Sequence, residues 1–472
     1  MNRPNILFLM SDEHRADVAG YAGNTVVRTP TLDWLASTGV VFSNAYTPSP
    51  VCVPGRQSLM AGQLPRTTGC CRFGQDLPPN AMTWARVFGQ HAYHATCAGK
   101  LHHVGPDQMQ GWTNRIAPDA HVDDHHIAGR VESEFARYKP APGIGKWTNE
   151  KEVQRAGVVG DGALIRRDRT TVDAAVSYLD QYFINYDYDR PQTHRPLLLK
   201  VSLIQPHYPF VTDREKFGYY LNRVPVFDSR SRMDHPKLGT NPCGPVFDLT
   251  PRDLRRATAA YYGAVEEIDA QYRRVLDMLE HGGQNLDDWI IVYTSDHGEM
   301  LGEHGIWEKT QFYEASARVP LIIRWPQRFE PRLVNENVNL CDLFVTLCEL
   351  ADLPVPADEQ TGAGRGLDSR SLVALMQGRA DEWRQRHHNE TISQIDRHCM
   401  IKRGALKYCW YQCRQGEAWP EVLFDLETDP GEARNVIGEP RYAEVVGLLR
   451  QRLAQLGYGP NADANYRNAG YG

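Results

Sequence analysis

Long apolar runs are missing from this sequence. No stretch approaches the roughly 20 residues that a helix needs to span a bilayer, so a membrane-spanning helix is not expected. Excess positive charge is missing too. The formal net charge is -6, and no Lys/Arg run marks a nucleic-acid or membrane surface. The apolar run Ile6–Met10 is too short for the core of a secretory leader, and no small-residue cleavage site follows it. Regular short-spaced cysteine pairs are absent, so the ten cysteines among 472 residues read as reduced thiols. Together these absences predict a cytoplasmic protein that binds neither nucleic acid nor membrane. No internal repeat is apparent.

What is present is the composition of a folded protein, 42% hydrophobic and 23% charged. The chain is longer than one core usually serves, which predicts a large domain over 1–375 and a small one with a tail over 376–472. Short apolar runs at Ile6–Met10, Leu197–Leu203, Trp289–Thr294 and Leu321–Ile323 read as central strands of a parallel sheet. Val265, Ile268, Tyr272, Val275, Leu276 and Leu279 recur at helical spacing, and Gly282-Gly283 ends that helix. Strands alternating with helices indicate an α/β fold, a large mostly parallel sheet flanked by helices. A Pro/Gly/Asp-rich stretch from Leu353 to Leu367, then Gly378 to Arg386, marks the boundary region. Beyond it, β-like runs at Ala405–Tyr411 and Val422–Leu426 and a helix near Tyr442–Leu456 predict a smaller C-terminal α+β domain with an antiparallel sheet. The tail Gly459–Gly472 is expected to be loose or packed on another subunit, so a homo-oligomer is expected.

Ligands of such sheets gather beyond the carboxyl ends of the strands. Polar clusters stand directly after three of them: Ser11-Asp12-Glu13, Gln205-Pro206-His207 and Ser295-Asp296-His297. Two acidic clusters from two strand ends can converge on one divalent ion. Oxygen-rich donors suggest Ca, Mg or Mn over a thiolate metal, and the imidazole of His297 tilts the choice toward Mn while keeping Ca.

The most specific motif is Pro50-Val51-Cys52-Val53-Pro54-Gly55-Arg56, followed by Leu59-Met60-Ala61-Gly62. This Cys-x-Pro-x-Arg pattern resembles the signature of the sulfatases, formylglycine-dependent members of the alkaline-phosphatase superfamily. Gly99-Lys100-Leu101-His102 is similar to a second segment of that family. His207 and Lys309 match two more of its residues, in the same order along the chain. Phe424-Asp425-Leu426-Glu427-Thr428-Asp429-Pro430 resembles the strand and turn of its C-terminal domain.

The resemblance implies an alkaline-phosphatase-like fold and hydrolysis of a small-molecule sulfate ester to inorganic sulfate and an alcohol. It implies that Cys52 is oxidised to formylglycine by a dedicated maturation enzyme. A hydrated aldehyde offers two hydroxyls on one carbon, one to attack sulfur and the other to expel sulfate, which splits one hard step into two easier ones. The metal set implied is Asp12, Glu13, Cys52 in its modified form, Asp296 and His297. Arg56 would fix geometry, Lys100 and Lys309 would bind sulfate, His102 would help release it, and His207 would face the leaving oxygen. Glu13 departs from the family's commoner Asp, and His297 from its commoner Asn. His103, His304 and Glu299 are expected to be supporting or surface residues.

Met60–Pro65 and Gly99–Gln108 resemble the choline-sulfatase branch, whereas Gly69–Gln75, which should line the pocket, does not. The Asp-His pair is also similar to that of phosphonate monoester hydrolases. A phosphonate monoester or phosphodiester hydrolase on the same fold and site is therefore the alternative activity.

Overall fold

The computed structural model describes residues 3–119, 153–160, 162–187, 195–227, 233–239, 249–357, 366–412 and 420–459. The tail expected from 460 onward lies outside the described residues. The main sheet uses strands β1 (Ile6–Asp12), β2 (Val40–Phe42), β3 (His94–Gly99), β4 (Asn114–Arg115), β5 (Leu197–Pro206), β6 (Ile290–Ser295), β7 (Leu321–Arg324) and β8 (Arg332–Val334). Their spatial order is β8-β2-β7-β6-β1-β5-β3-β4. β1 lies at the centre, parallel to both β5 and β6.

Every side chain of β1 is buried, because side chains alternate across a strand and both faces are covered. Ile6, Phe8 and Met10 enter one core with Leu59 and Met60 of helix α1 (Cys52–Ala61). Leu7 and Leu9 enter the other, against Val172 and Leu179 of helix α2 (Ala163–Asp187) and Ile268, Tyr272 and Val275 of helix α3 (Pro251–His281). Helix α3 starts where sequence rules place a start. Thr250 and Asp253 form a capping box and Pro251 occupies the first turn. It ends at Gly282, as expected.

Two strand expectations need correction. Leu321–Arg324 is a central strand but runs antiparallel to β6; an apolar run carries no information about direction. His94–Gly99 is a full parallel neighbour of β5, yet its polar His94 and Thr96 hide it from an apolar-run reading. A second, antiparallel sheet has four strands, β9 (Glu390–Ile395), β10 (His398–Arg403), β11 (Leu406–Trp410) and β12 (Val422–Asp425). Helix α4 (Ala443–Gln455) packs Val446, Leu449 and Leu453 against it. The fold is thus α/β, with a separate antiparallel sheet near its C-terminal end. No described helix is long and apolar enough to cross a membrane. The eight cysteines among the described residues are buried and form no disulfide.

Candidate active site

The strand ends assemble the site. At the end of β1, Asp12 and Glu13 are fully buried, as are Asp296 and His297 after β6. Glu13 adopts φ 67, which turns the chain sharply and aims its main-chain N–H at Asp296 Oδ1, 3.1 Å away. Helix α1 starts at Cys52 and comes very close to the end of β6. A Cβ on Gly55 would lie 2.7 Å from the Ser49 carbonyl and 3.4 Å from that of Asp296, so glycine is what admits this approach. Gly62 then ends the helix at φ 63.

Arg56 stands at the centre and is wholly buried. Its Nε donates to Asp296 Oδ2 at 2.7 Å and its Nη2 to Asp12 Oδ2 at 2.9 Å. Its Nη1 donates to the Lys100 carbonyl at 2.6 Å and to Ser202 Oγ at 3.0 Å. One guanidinium therefore fixes both aspartates through charge-assisted bonds. Lys100 Nζ lies 2.6 Å from Asp12 Oδ2. Cys52 Sγ is 3.1 Å from His297 Nε2 and 3.9 Å from Asp12 Oδ1.

Both candidate histidines are oriented by main-chain carbonyls. His297 Nδ1 lies 3.0 Å from the Gly298 carbonyl, and His207 Nδ1 lies 2.7 Å from that of Tyr208. A carbonyl only accepts, so each Nδ1 carries a proton and each Nε2 faces the site. Lys309 Nζ donates to His207 Nε2 at 2.8 Å and to Glu13 Oε2 at 2.9 Å.

The electrostatics follow from burial and charge. Burial alone would raise Asp12, but Lys100, with help from Arg56, overrides it and holds the carboxyl well below its usual range. Burial drives Glu13 well above its own, with Lys309 pulling it back. Burial and the neighbouring Lys309 hold His207 well below an ordinary imidazole. Burial, then Asp12, pushes the Cys52 thiol up to about 12, and a protonated thiol is a poor nucleophile.

The residues fit a divalent cation. Donor atoms of Asp12, Cys52, Asp296 and His297 all lie within 4.8 Å of one another, and so do those of Asp12, Glu13 and His207. The carboxyl groups of Asp12, Glu13, Asp296 and Glu299 are all buried here, with Arg56, Lys100 and Lys309 as their buried ionic neighbours. The Glu13 and Glu299 carboxyls also share a hydrogen bond. A cation among the converging donor atoms would offset the negative charge, which burial otherwise makes costly.

Of the residues singled out from sequence, Asp12, Glu13, Cys52, Arg56, Lys100, His207, Asp296, His297 and Lys309 come together. His102 joins differently. Its carbonyl accepts from Gln57 on α1, its N–H donates to Asp119, and its ring packs edge-on to Phe73. His103, His304 and Glu299 are buried rather than on the surface. Glu299 Oε1 accepts the main-chain N–H groups of Leu301 and Glu308, bracing the loop that carries Lys309. Sequence reasoning missed Ser202, which holds Arg56, and Asp119, which clamps the 101–103 turn. No motif marks either one, because each acts across a long sequence separation.

Residues 4–353 match the family model described as Sulfatase, and 302–458 match the one described as N-sulphoglucosamine sulphohydrolase, C-terminal. The chain belongs to the sulfatase family and is a sulfuric ester hydrolase. It is 29% identical to an arylsulfatase of Clostridium perfringens, over 96% of this chain and 94% of that one. It is 30% identical to a choline-sulfatase of Rhizobium meliloti, over 93% and 83%. Its fold is shared with the phosphonate monoester hydrolase of Agrobacterium radiobacter, with TM-score 0.72, 23% identity, and coverage of 96% and 95%.

Proposed function

We propose that this chain hydrolyses a sulfate ester with a formylglycine made from Cys52 beside one divalent metal. One observation carries the reading: Asp12, Asp296 and His297 converge on the Cys52 side chain while Arg56 grips both aspartates. Asp12, Glu13, Asp296 and His297 would hold the ion, with the modified residue 52 as a further ligand. Their mix of carboxylates and one imidazole suits Ca or Mn, with Mg third. When bound, the ion would supply positive charge against the ester oxygens and acidify the attacking hydroxyl.

The chain's own residues set the geometry. Arg56 keeps the two aspartates at fixed separation and orientation. Lys100 and Lys309 present ammonium groups to the sulfate oxygens. His207 Nε2 faces the departing alcohol oxygen and would pass to it, as the sulfur–oxygen bond breaks, the proton that Lys309 Nζ donates to that nitrogen. His102, on the turn clamped by Asp119, assists release of sulfate. We read 1–375 as the catalytic unit and 376–472 as the unit that closes it, in a cytoplasmic homo-oligomer that requires a maturation enzyme.

Peptide mass spectrometry of an active preparation tests the proposal. The peptide carrying residue 52 should show the aldehyde, and sulfate release should scale with its content. Full activity from an unmodified thiol would end this reading. His297, where an Asn is commoner, favours the second reading, a phosphonate or phosphodiester hydrolase. Parallel rates on an aryl sulfate and an aryl phosphonate decide between the two.

A further inference from the structure

The strand that brings His207 to the site is irregular just before it arrives. β5 pairs with β1 residue for residue as far as Met10–Ser202, and the register resumes only at Asp12–Pro206. On its other side, pairing with β3 ends at Gly99–Ser202. From 202 to 206 β5 advances four residues while β1, from 10 to 12, advances two. Such a bulge takes main-chain groups out of the ladder and re-aims the side chains that follow. Buried main-chain N–H groups still need acceptors.

Asp168 on α2 provides them. It is buried, and its Oδ1 and Oδ2 accept the N–H groups of Ile204 and Gln205, each at 2.8 Å. The carbonyl of the same Ile204 accepts the N–H of His207 at 3.1 Å. One residue therefore stands between the carboxylate and the histidine, held by Asp168 at its nitrogen and holding His207 at its oxygen. Gln205 Nε2 ties the far end of the turn by donating to the Val211 carbonyl at 3.2 Å. One turn along α2, Thr171 closes on β3: a Cβ on Gly99 would lie 2.7 Å from Thr171 Cγ2. The helix that carries the clamp is thus seated against the strand end that carries Lys100.

Beyond the bulge, His207 Nε2 lies 3.7 Å from Asp12 Oδ1 and 3.4 Å from Glu13 Oε2. The bond from His207 Nδ1 to the Tyr208 carbonyl is local and sets how the ring is turned. Where the ring stands in the site is a property of the backbone, and Asp168 is the side chain that fixes that backbone at the bulge.

We propose that Asp168 is a positioning residue, which through Ile204 places His207 for proton delivery to the departing oxygen. This rests on the role given to His207 above. Asp168→Asn keeps the size but turns an amide N–H toward one of the two main-chain donors, so one bond of the clamp is lost. On an ester of a poorly acidic alcohol it should lower kcat roughly tenfold to a hundredfold with KM little changed, and on a nitrophenyl ester far less. Added to His207→Ala, it should cost nothing further. Asp269 on α3 makes a like clamp elsewhere, accepting the N–H groups of Leu32 and Thr31 at 2.8 and 3.1 Å. Asp269→Asn should lower stability comparably and leave the leaving-group dependence as it was. Additive losses from Asp168→Asn and His207→Ala, or the same kinetic change from Asp269→Asn, would overturn the proposal. A second measurement needs no turnover. In protein with isotope-labelled histidine, the ring signals of His207, identified by their loss in His207→Ala, should move in Asp168→Asn and stay in place in Asp269→Asn. If those signals move while sulfate esters go unhydrolysed, the sulfatase reading falls and the positioning role stands. Unmoved signals overturn the positioning role whatever the turnover.

Discussion

Among the described residues, two of the clusters of buried charge are built on opposite plans. One surrounds Arg56 at the strand ends. The other surrounds Lys407 on β11, which is 0% exposed. Lys407 Nζ lies 2.7 Å from Glu314 Oε1 and 2.5 Å from Glu432 Oε1, and donates to the Phe312 carbonyl at 2.8 Å. The ammonium is thus surrounded by two carboxyl groups and a carbonyl. Tyr46 and Arg318 complete the shell of Glu314 at 2.8 and 3.2 Å. Burial opposes ionisation of Glu314, but Lys407, Arg318 and Lys402 override it and bring its carboxyl down to about 2. The Arg56 cluster is as deeply buried and stays open. Donor atoms of Asp12, Cys52, Asp296 and His297 all lie within 4.8 Å of one another there, with the Nε2 of His297 facing the thiol. A buried ion cluster gathered round its own cation fastens parts of a fold; one whose ligand atoms converge on a common point is poised for a ligand.

Mutations should separate the two plans. The largest effects belong to the open cluster. Cys52→Ala should lower kcat/KM for any sulfate ester at least about ten-thousandfold. Asp296→Ala should lose the divalent metal, measured by elemental analysis, while circular dichroism stays unchanged. Metal retained by that variant would break the comparison. His207→Ala should cost about a hundredfold to ten-thousandfold on esters of poorly acidic alcohols and far less on nitrophenyl esters. An even loss across a leaving-group series would make His207 a binding residue and move the acid to Lys309 or His102.

The closed cluster should answer in stability instead. Lys407→Met strands Glu314 and Glu432 without their cation, and should cost roughly 3–5 kcal/mol in urea unfolding. Metal content per folded molecule should not change. Were metal lost in step with stability, the two clusters would be one coupled unit.

Lys200 is the intermediate case and should give the smallest effect. It lies on β5 with no carboxylate ion-pair partner among the described residues, its Nζ 3.9 Å from Met60 Sδ and 5.4 and 5.8 Å from the rings of Phe8 and Trp84. Burial, with Arg56 adding to it, brings its ammonium down to about 7. In the unfolded chain a lysine titrates near about 10.4. Between those values the unfolded state binds more protons, so this group makes stability rise with pH from about 7 upward. Lys200→Met should remove that slope and stabilise the protein near neutrality by roughly 1–4 kcal/mol. A slope left intact in the variant would assign it to another group.

How much of this could be read in the chain varies from element to element. β1 and β6 were legible because an apolar run ends abruptly in acidic residues, a pattern with few other uses. The Cys52 segment was legible because Pro54, Gly55 and Arg56 each answer a local need of the turn and the site. The direction of β7 was not, since strand orientation depends on connections rather than on periodicity. Nor was the ring of His102, whose turn is set by Asp119 far along the chain. Ser202 looked like any strand serine until Arg56 arrived from another element.

Cys52 itself sets an order in time. It is 3% exposed, in a helix whose every residue is buried. No second protein can grasp that segment once the sheet and helix have closed around it. On the proposed chemistry, oxidation must therefore happen to the nascent or unfolded chain, and folding then seals the product in. Protein synthesised without its maturation partner would be a well-folded dead end, and adding that partner afterwards to the native chain would come too late.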